Sequence, residues 1–163
     1  MSREKFSFDF DVYASIDDLA IADAALLRDA QAATAIAYAP YSHFQVGAMA
    51  LLANGQKVAG SNQENASYPV GICAERVLLS AASSLYPGVA IETIAISYQG
   101  ETGKSDRPIS PCGICRQTLV EYETRFKHPI RLILGGKEGK IWVIPRSGLL
   151  LPFGFTGEDL GGK

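Results

Sequence analysis

The placement of three cysteines, Cys73, Cys112 and Cys115, constrains the fold of this chain more than any other feature. Cys73 opens an apolar stretch that is predicted to be helical as far as Leu85. Cys112 follows Pro111, which is favoured in the first turn of a helix, and the three-residue spacing to Cys115 places both thiols on one helix face. Two helix N-termini would then direct their positive dipole ends at the cysteines and favour the thiolate form.

Three cysteines suit a zinc site, because a catalytic zinc takes three protein ligands and keeps a fourth position for water. An odd number of cysteines fits a disulfide framework poorly. Spacing alone leaves two alternatives: three unrelated core cysteines, or a Cys-x-x-Cys redox pair with one separate cysteine. The neighbours favour zinc, since Glu75 lies two residues after Cys73 and Pro111 directly precedes Cys112. Together they form C-x-E…P-C-x-x-C, the pattern of zinc deaminases.

Helical and strand-like stretches alternate along the chain, which predicts an α/β architecture around one sheet. Asn54-Gly55 is a strong hairpin signal between two strands, and Ser15, Asp17 and Asp18 resemble a helix start. Residues 1–14 are polar and aromatic with no clear period, which suggests an extended arm. The predicted helices cover 19–38, 73–85 and 112–125, and the predicted strands cover 44–52, 57–60, 91–98, 130–134 and 140–144.

The bulk properties exclude several classes of protein. The 163 residues suit one domain, which we assign to 16–163, with 1–15 as an N-terminal arm of unknown role. The net charge of −2 gives no basic footprint for nucleic acid. No apolar run approaches the roughly 20 residues of a membrane span, and no signal peptide is evident. We therefore expect a cytoplasmic protein with reduced thiols.

Four blocks of the sequence resemble the small, homotetrameric type of cytidine deaminase, over roughly residues 20–160. The first metal-ligand position of the pattern, Cys73 here, is a cysteine and not a histidine. The resemblance implies a three-layer α/β fold with a mixed five-stranded sheet flanked by helices, one Zn²⁺ per chain and a homotetramer. The four blocks are "APYSHFQVGA", "NQENASYPVGICAER", "SPCGICRQ" and "LLPFGFTGEDL".

The resemblance assigns roles around the metal. Cys73, Cys112 and Cys115 would be the ligands, and Glu75 would be the catalytic proton shuttle. Three thiolates and Zn²⁺ leave one net negative charge, which weakens the metal as a Lewis acid. Arg76 would restore the balance by hydrogen bonding to thiolate sulfur, and Arg116 could share this task. The alternatives are a solvated acid in the first turn of a helix and a surface arginine.

The resemblance also assigns the substrate contacts. Asn62 and Glu64 would hold the ribose hydroxyls, which suits an amide and a carboxylate, although asparagine also supports plain turns. Each remaining candidate has a structural alternative, such as strand packing or local anchoring. These candidates are Ala66, whose backbone would contact the base, Phe44, which would pack on the pyrimidine, Tyr68 at the pocket, and Phe155, which would reach a neighbouring subunit's site. His43 and His128 are expected to be structural or surface residues, and Trp142 a packing residue.

The function implied is hydrolytic deamination of cytidine and deoxycytidine to uridine and deoxyuridine, with release of ammonia, in pyrimidine salvage. A blasticidin S-type aminonucleoside deaminase is the nearest enzyme alternative, and Phe44 with the Asn62-x-Glu64 pair argues for the simple nucleoside. A deaminase that edits polynucleotides fits the acidic charge balance poorly. A zinc or redox module without turnover is the alternative from another class, and Glu75 beside an open zinc position argues against it.

Overall fold

A mixed sheet of six strands forms the centre of the structure, a computed structural model that describes residues 1–161. The strands lie in the order β1-β6-β5-β4-β2-β3. Only the pairing of β4 with β5 is parallel within this sheet, and the other neighbours are antiparallel. The strands are β1 (Asp11–Tyr13), β2 (Gln45–Leu52), β3 (Lys57–Ser61), β4 (Ile91–Gln99), β5 (Arg131–Gly135) and β6 (Ile141–Ile144).

Within residues 1–161, three α-helices cover the two faces of the sheet. α1 (Ile21–Ala33) packs its buried leucines and alanines on one face, against Ala95 of β4 and Ile133 of β5. α2 (Ala74–Leu85) and α3 (Gly113–Phe126) contribute Leu78 and Leu119 to the larger core cluster on the opposite face. The predicted three-layer α/β class is therefore confirmed.

The expected number of five strands is wrong, because the N-terminal arm adds a sixth. Asp11, Val12 and Tyr13 pair with Val143, Trp142 and Ile141 of β6. An edge strand presents unpaired N–H and C=O groups, and the arm satisfies those of β6.

The first helix is shorter than the predicted range of 19–38. The chain makes a separate 3₁₀ turn at Ile16–Asp18, where the Asp18 carboxylate accepts a bond of 2.9 Å from the backbone N–H of Ser15. Leu19 then takes an extended backbone before α1 begins. At the other end the helix tightens into a 3₁₀ turn, Thr34–Ile36. The side chain of Asp18 thus caps a separate 3₁₀ turn, and the α-helix starts later than predicted. Composition alone could not show this local hydrogen bond.

Two glycines let the β2–β3 hairpin form and pack. Gly55, at the Asn-Gly turn, has a positive φ of 81°, which favours glycine. Gly60 of β3 faces the start of α2, where an added Cβ would lie 2.6 Å from the backbone nitrogen of Leu78. The close approach sets the position of the α2 N-terminus. Among residues 1–161, no helix has the length and apolar character needed to cross a membrane.

Candidate active site

Cys73 lies at the N-terminus of α2, where it is the N-cap residue in extended conformation. Ala74 and Leu78 behind it are fully buried in the core. The backbone N–H groups of Arg76 and Val77 each donate a bond of 3.1 Å to the carbonyl oxygen of Cys73. The start of α2 is thus fixed against the sheet, and the Cys73 thiol is fixed with it.

Cys112 occupies the same position at the N-terminus of α3, and Cys115 lies in the first turn, fully buried. The Arg116 guanidinium supports this turn. Its Nε donates to the carbonyl oxygen of Pro111 at 2.8 Å, and its Nη1 donates to that of Leu150 at 3.1 Å. Two helix N-termini therefore meet at one corner of the molecule, as the cysteine spacing indicated.

The three sulfurs lie close enough to share one metal ion. Sγ of Cys112 is 3.7 Å from that of Cys73 and 3.5 Å from that of Cys115, and all three lie within 4.8 Å of one another. A tetrahedral zinc with Zn–S bonds of about 2.3 Å separates its sulfur ligands by about 3.8 Å. The donor set and its spacing fit one Zn²⁺ and leave a fourth coordination position. We call Cys73, Cys112, Cys115 and Glu75 the cysteine corner.

The thiols share their protons unequally. The pKa of Cys73 falls to about 6, because Cys115 hydrogen-bonds to its sulfur, with smaller contributions from Cys112 and from the charge of Arg76. The pKa of Cys115 rises, because it is the hydrogen-bond partner of the Cys73 thiolate and is also buried. The thiolate is the form that ligates metals, and a lowered pKa favours the thiolate. The positive N-termini of α2 and α3 favour negative charge at the same corner.

Glu75 lies in the first turn of α2, next to the sulfurs, and is only 5% exposed. Burial raises the pKa of its carboxyl group, and the charge of Cys73 raises it further. A hydrogen bond with the Cys115 thiol acts in the opposite direction. A buried acid this close to three thiols is unlike the solvated acid of a surface helix. It can exchange protons with a group held at the corner.

A cavity of about 210 Å³ opens beside Cys73. Its polar side, which we call the polar wall, consists of Asn62, Gln63, Glu64 and Asn65 from the chain that follows β3. The cavity therefore connects one metal-ligand candidate with the amide and carboxylate groups that were predicted to contact a sugar. Tyr41, Tyr68, Gly71 and Ile72 complete the lining.

Glu64 is held by the loop that follows Pro40. Its Oε2 accepts the backbone N–H groups of Tyr41 at 2.9 Å and Ser42 at 3.3 Å, and its Oε1 accepts the Ser42 hydroxyl. These bonds, the hydroxyl bond above all, lower the pKa of the carboxyl group. A carboxylate offers about four acceptor positions, so Oε1 keeps one for a further hydroxyl.

Asn62 connects the polar wall to β2. Its Oδ1 accepts the backbone N–H of Val46 at 2.7 Å, and its Nδ2 donates to the carbonyl oxygen of Phe44 at 2.9 Å. An amide group has two donor hydrogens and two acceptor positions. One donor and one acceptor therefore remain for a ligand, while the other two fix the side chain.

Three predicted contact residues lie outside the cavity lining. Phe44 stacks on Tyr98 of β4, with ring centroids 5.2 Å apart and an interplanar angle of 21°. Ala66 is exposed in the loop. Phe155 is 56% exposed, and its carbonyl oxygen accepts a bond of 2.6 Å from Gln117 Nε2. The roles of these three residues in substrate binding stay predictions.

Arg76 and Arg116 differ in what they do at the corner. The charge of Arg76 acts on Cys73, whereas Arg116 directs Nε and Nη1 to backbone carbonyl groups. Arg116 therefore organises the loop before α3. That Arg116 could also offset the charge of the thiolates stays a prediction.

Sequence reasoning missed Tyr41 and Ser42 as members of the site. The available signal was their place directly after Pro40, which ends a helix and so begins a loop. Their bond to Glu64 joins residues that are distant in the sequence. No local pattern predicts such a contact.

Comparison with known proteins identifies the architecture. Residues 21–127 match the model of the cytidine and deoxycytidylate deaminase zinc-binding region. The chain belongs to this family. The match includes the cysteine corner and the polar wall, and it excludes residues 1–20 and 128–163.

Relatives and solved structures of the family resemble most of the chain. A cytidine deaminase from Halalkalibacterium halodurans is 40% identical over 135 residues, which is 83% of this chain and 95% of the relative. A cytidine deaminase from Mycobacterium tuberculosis is 37% identical, over 83% of this chain and 90% of the relative. The crystal structure of cytidine deaminase from Burkholderia pseudomallei has a TM-score of 0.70 and 38% identity, covering 80% of this chain and 97% of its own.

Proposed function

We propose that the protein catalyses the hydrolytic deamination of cytidine and deoxycytidine to uridine and deoxyuridine, with release of ammonia. The observation that carries this proposal is the buried Glu75 beside three converging sulfurs, next to a cavity with a polar wall. The chemistry of a zinc deaminase needs such a carboxyl group, which is not itself a ligand. Membership of the family supports the same reaction.

Glu75 acts as the proton carrier in this proposal. One Zn²⁺ on Cys73, Cys112 and Cys115 supplies the Lewis acidity that makes water a nucleophile near neutral pH. Glu75 accepts a proton from the attacking water, passes one to N3 of the pyrimidine and later assists departure of the amino group at C4. Its burial excludes bulk water from these transfers, which keeps the protons between carboxylate and substrate.

Arg76 offsets the charge of the ligand set in our proposal. Three thiolates around Zn²⁺ carry one net negative charge, and a cation next to Cys73 reduces its effect. The influence of the Arg76 charge on the Cys73 thiol supports this role. Arg76 acts through the ligands and does not touch the substrate.

The polar wall holds the sugar. Glu64 keeps an acceptor position on Oε1, and Asn62 keeps one donor and one acceptor, which suits two neighbouring hydroxyl groups. Tyr68 lines the same cavity, and we assign the pyrimidine contacts to Phe44 and to the backbone of Ala66. A site built around a hydroxyl group discriminates strongly against analogues that lack it.

Assembly completes the site. We propose a homotetramer in which Phe155 reaches the pocket of a neighbouring subunit. The exposure of Phe153 and Phe155, 98% and 56%, supports a role for this region at an interface. We also propose that residues 16–163 form one catalytic domain and that the protein works in the cytoplasm, where its thiols stay reduced.

An ultraviolet assay of the purified protein with cytidine, with and without a zinc chelator, tests the function. We expect turnover of cytidine and deoxycytidine, its loss with the chelator, its recovery with added zinc, and one zinc per chain by elemental analysis. Blasticidin S, cytosine and a short oligonucleotide serve as controls in the same buffer. Faster turnover of blasticidin S than of cytidine would replace the proposed substrate, and a zinc-loaded protein without any turnover would contradict the enzyme assignment.

A further inference from the structure

The N-terminal arm is anchored along the edge of the sheet. Phe8 packs against the larger core cluster on the side of α2 and α3, and Phe10 contacts Trp142 edge-on at a centroid distance of 5.6 Å. Asp9, Phe10 and Asp11 line a cavity with Arg131, which already pairs with Asp23 at 2.6 Å. The arm is therefore anchored by apolar contacts and by acidic groups near a cation.

The register of β1 carries the arm beyond the sheet. Asp11 pairs with Val143, and the two strands run antiparallel. Residues before Asp11 therefore extend alongside the chain that leaves β6 for the C-terminal segment, which we define as residues 147–160. Phe6, in ring contact with Phe8 at 6.2 Å, lines a cavity of about 270 Å³ with residues of that segment. These include Leu149, Leu151, Pro152 and Phe153.

The C-terminal segment depends on contacts with other parts of the chain to hold its conformation. Its hydrogen bonds to the rest of the chain come largely from α3: Gln117 and Arg116 donate to its carbonyl groups, and Glu123 accepts from Ser147 at 2.8 Å. Phe153 has a left-handed φ of 63°, which is costly for a bulky residue and persists only where the surroundings enforce it.

We propose that the N-terminal arm positions the C-terminal segment, with Phe6 closing the cavity that Leu149, Leu151 and Pro152 line and so fixing how Phe155 is presented. Phe8 and Phe10 anchor the arm, and Phe6 shares the cavity with the segment. The arm and the C-terminal segment both lie outside residues 21–127, the region that the family model matches. The match therefore does not describe how these two parts of the chain are placed. Only the consequence for Phe155 rests on the proposed function.

Hydrogen exchange of the full-length Phe6→Ala variant tests the contact. We expect amides of residues 149–156 to exchange about tenfold faster, as in a local opening, while amides of the β2–β3 hairpin keep their rates. Phe6→Leu should restore most of the protection, because it keeps apolar volume. Ile21→Ala is the matched control, since Ile21 is 91% exposed at the start of α1. Equal exchange in Phe6→Ala and Ile21→Ala, or faster exchange spread evenly over the chain, would overturn the proposal.

Steady-state kinetics test the consequence. Phe6→Ala should raise KM for cytidine several-fold and leave kcat within about twofold, because Glu75 and the sulfurs are unaffected. Faster exchange at 149–156 with an unchanged KM would overturn the link to Phe155. A parent protein without cytidine turnover would refute the proposed function, and the exchange result would still decide the role of the arm.

Discussion

The cysteine corner and the polar wall are built in opposite ways. The corner consists of the first turns of two helices, each packed on the core through fully buried residues such as Leu78 and Leu119. The wall consists of loop residues that hydrogen bonds hold to another loop through Glu64 and to β2 through Asn62. One region owes its geometry to regular secondary structure, and the other owes it to long-range polar contacts.

This difference suggests a division of labour. Groups that transfer protons or bind a metal need fixed positions, which packed helices provide. Groups that recognise a flexible sugar sit well on loops supported by a rigid scaffold. Substitutions in the corner should therefore change kcat, and substitutions in the wall should change kcat/KM according to the substrate.

The largest effect is expected from Glu75→Gln in the corner. The variant should keep the fold and the zinc content but lose about 10²–10⁴ in kcat, because a positioned proton carrier contributes that much. Steady-state assays with cytidine, together with elemental analysis, measure both quantities.

Glu121→Gln, at an exposed position of α3, is the matched control and should leave kcat unchanged. If Glu75→Gln retained more than about a tenth of the activity, the loss would be below about 1.4 kcal/mol. The proton shuttle would then have to be sought elsewhere.

The same difference explains what the sequence could predict. The corner was accessible because helix starts, Pro111 and the cysteine spacing are local patterns, and the structure brings the three sulfurs together. The strand at Asp11–Tyr13 was not, because its pairing partner, β6, lies near the other end of the chain. The apolar and acidic residues from Phe8 to Asp11 can be interpreted as part of an edge strand only once the pairing with β6 is known.

The polar wall was accessible only in part. Asn62 and Glu64 could be named by resemblance, but their bonds to β2 and to the loop after Pro40 could not be derived from local residues. A hydrogen bond between distant loops depends on the final packing of the sheet. Side-chain roles in such a region therefore stay predictions until variants are measured.

A smaller effect is expected from Glu64→Gln in the wall. A hydrogen bond from a ribose hydroxyl to a carboxylate is stronger than one to a neutral group, so kcat/KM for cytidine should fall roughly tenfold. Cytosine, which has no ribose, should be affected little, and the gap between the two substrates should narrow.

Ser42→Ala separates recognition from loop support. It removes the hydroxyl that bonds to Glu64 and leaves the carboxylate in place. If Ser42→Ala lowered kcat/KM for cytidine as much as Glu64→Gln, Glu64 would serve mainly to hold the loop. A parallel loss for cytosine in Glu64→Gln would also contradict the ribose contact.

The smallest effect is expected from Phe155→Ala, at a position that neither the corner nor the wall includes. An aromatic contact contributes about 0.5–1.5 kcal/mol, so KM for cytidine should rise roughly twofold to tenfold with kcat nearly unchanged.

Hybrid oligomers of two variants decide whether Phe155 serves its own subunit or a neighbour. Light scattering should first show a tetramer for each variant. In hybrids of Phe155→Ala with Glu75→Gln, an intact Glu75 can lie beside a neighbour's intact Phe155, so part of the activity should recover the parental KM. Hybrids that keep the raised KM throughout would place Phe155 in its own subunit, and a fully active monomer would refute the shared site.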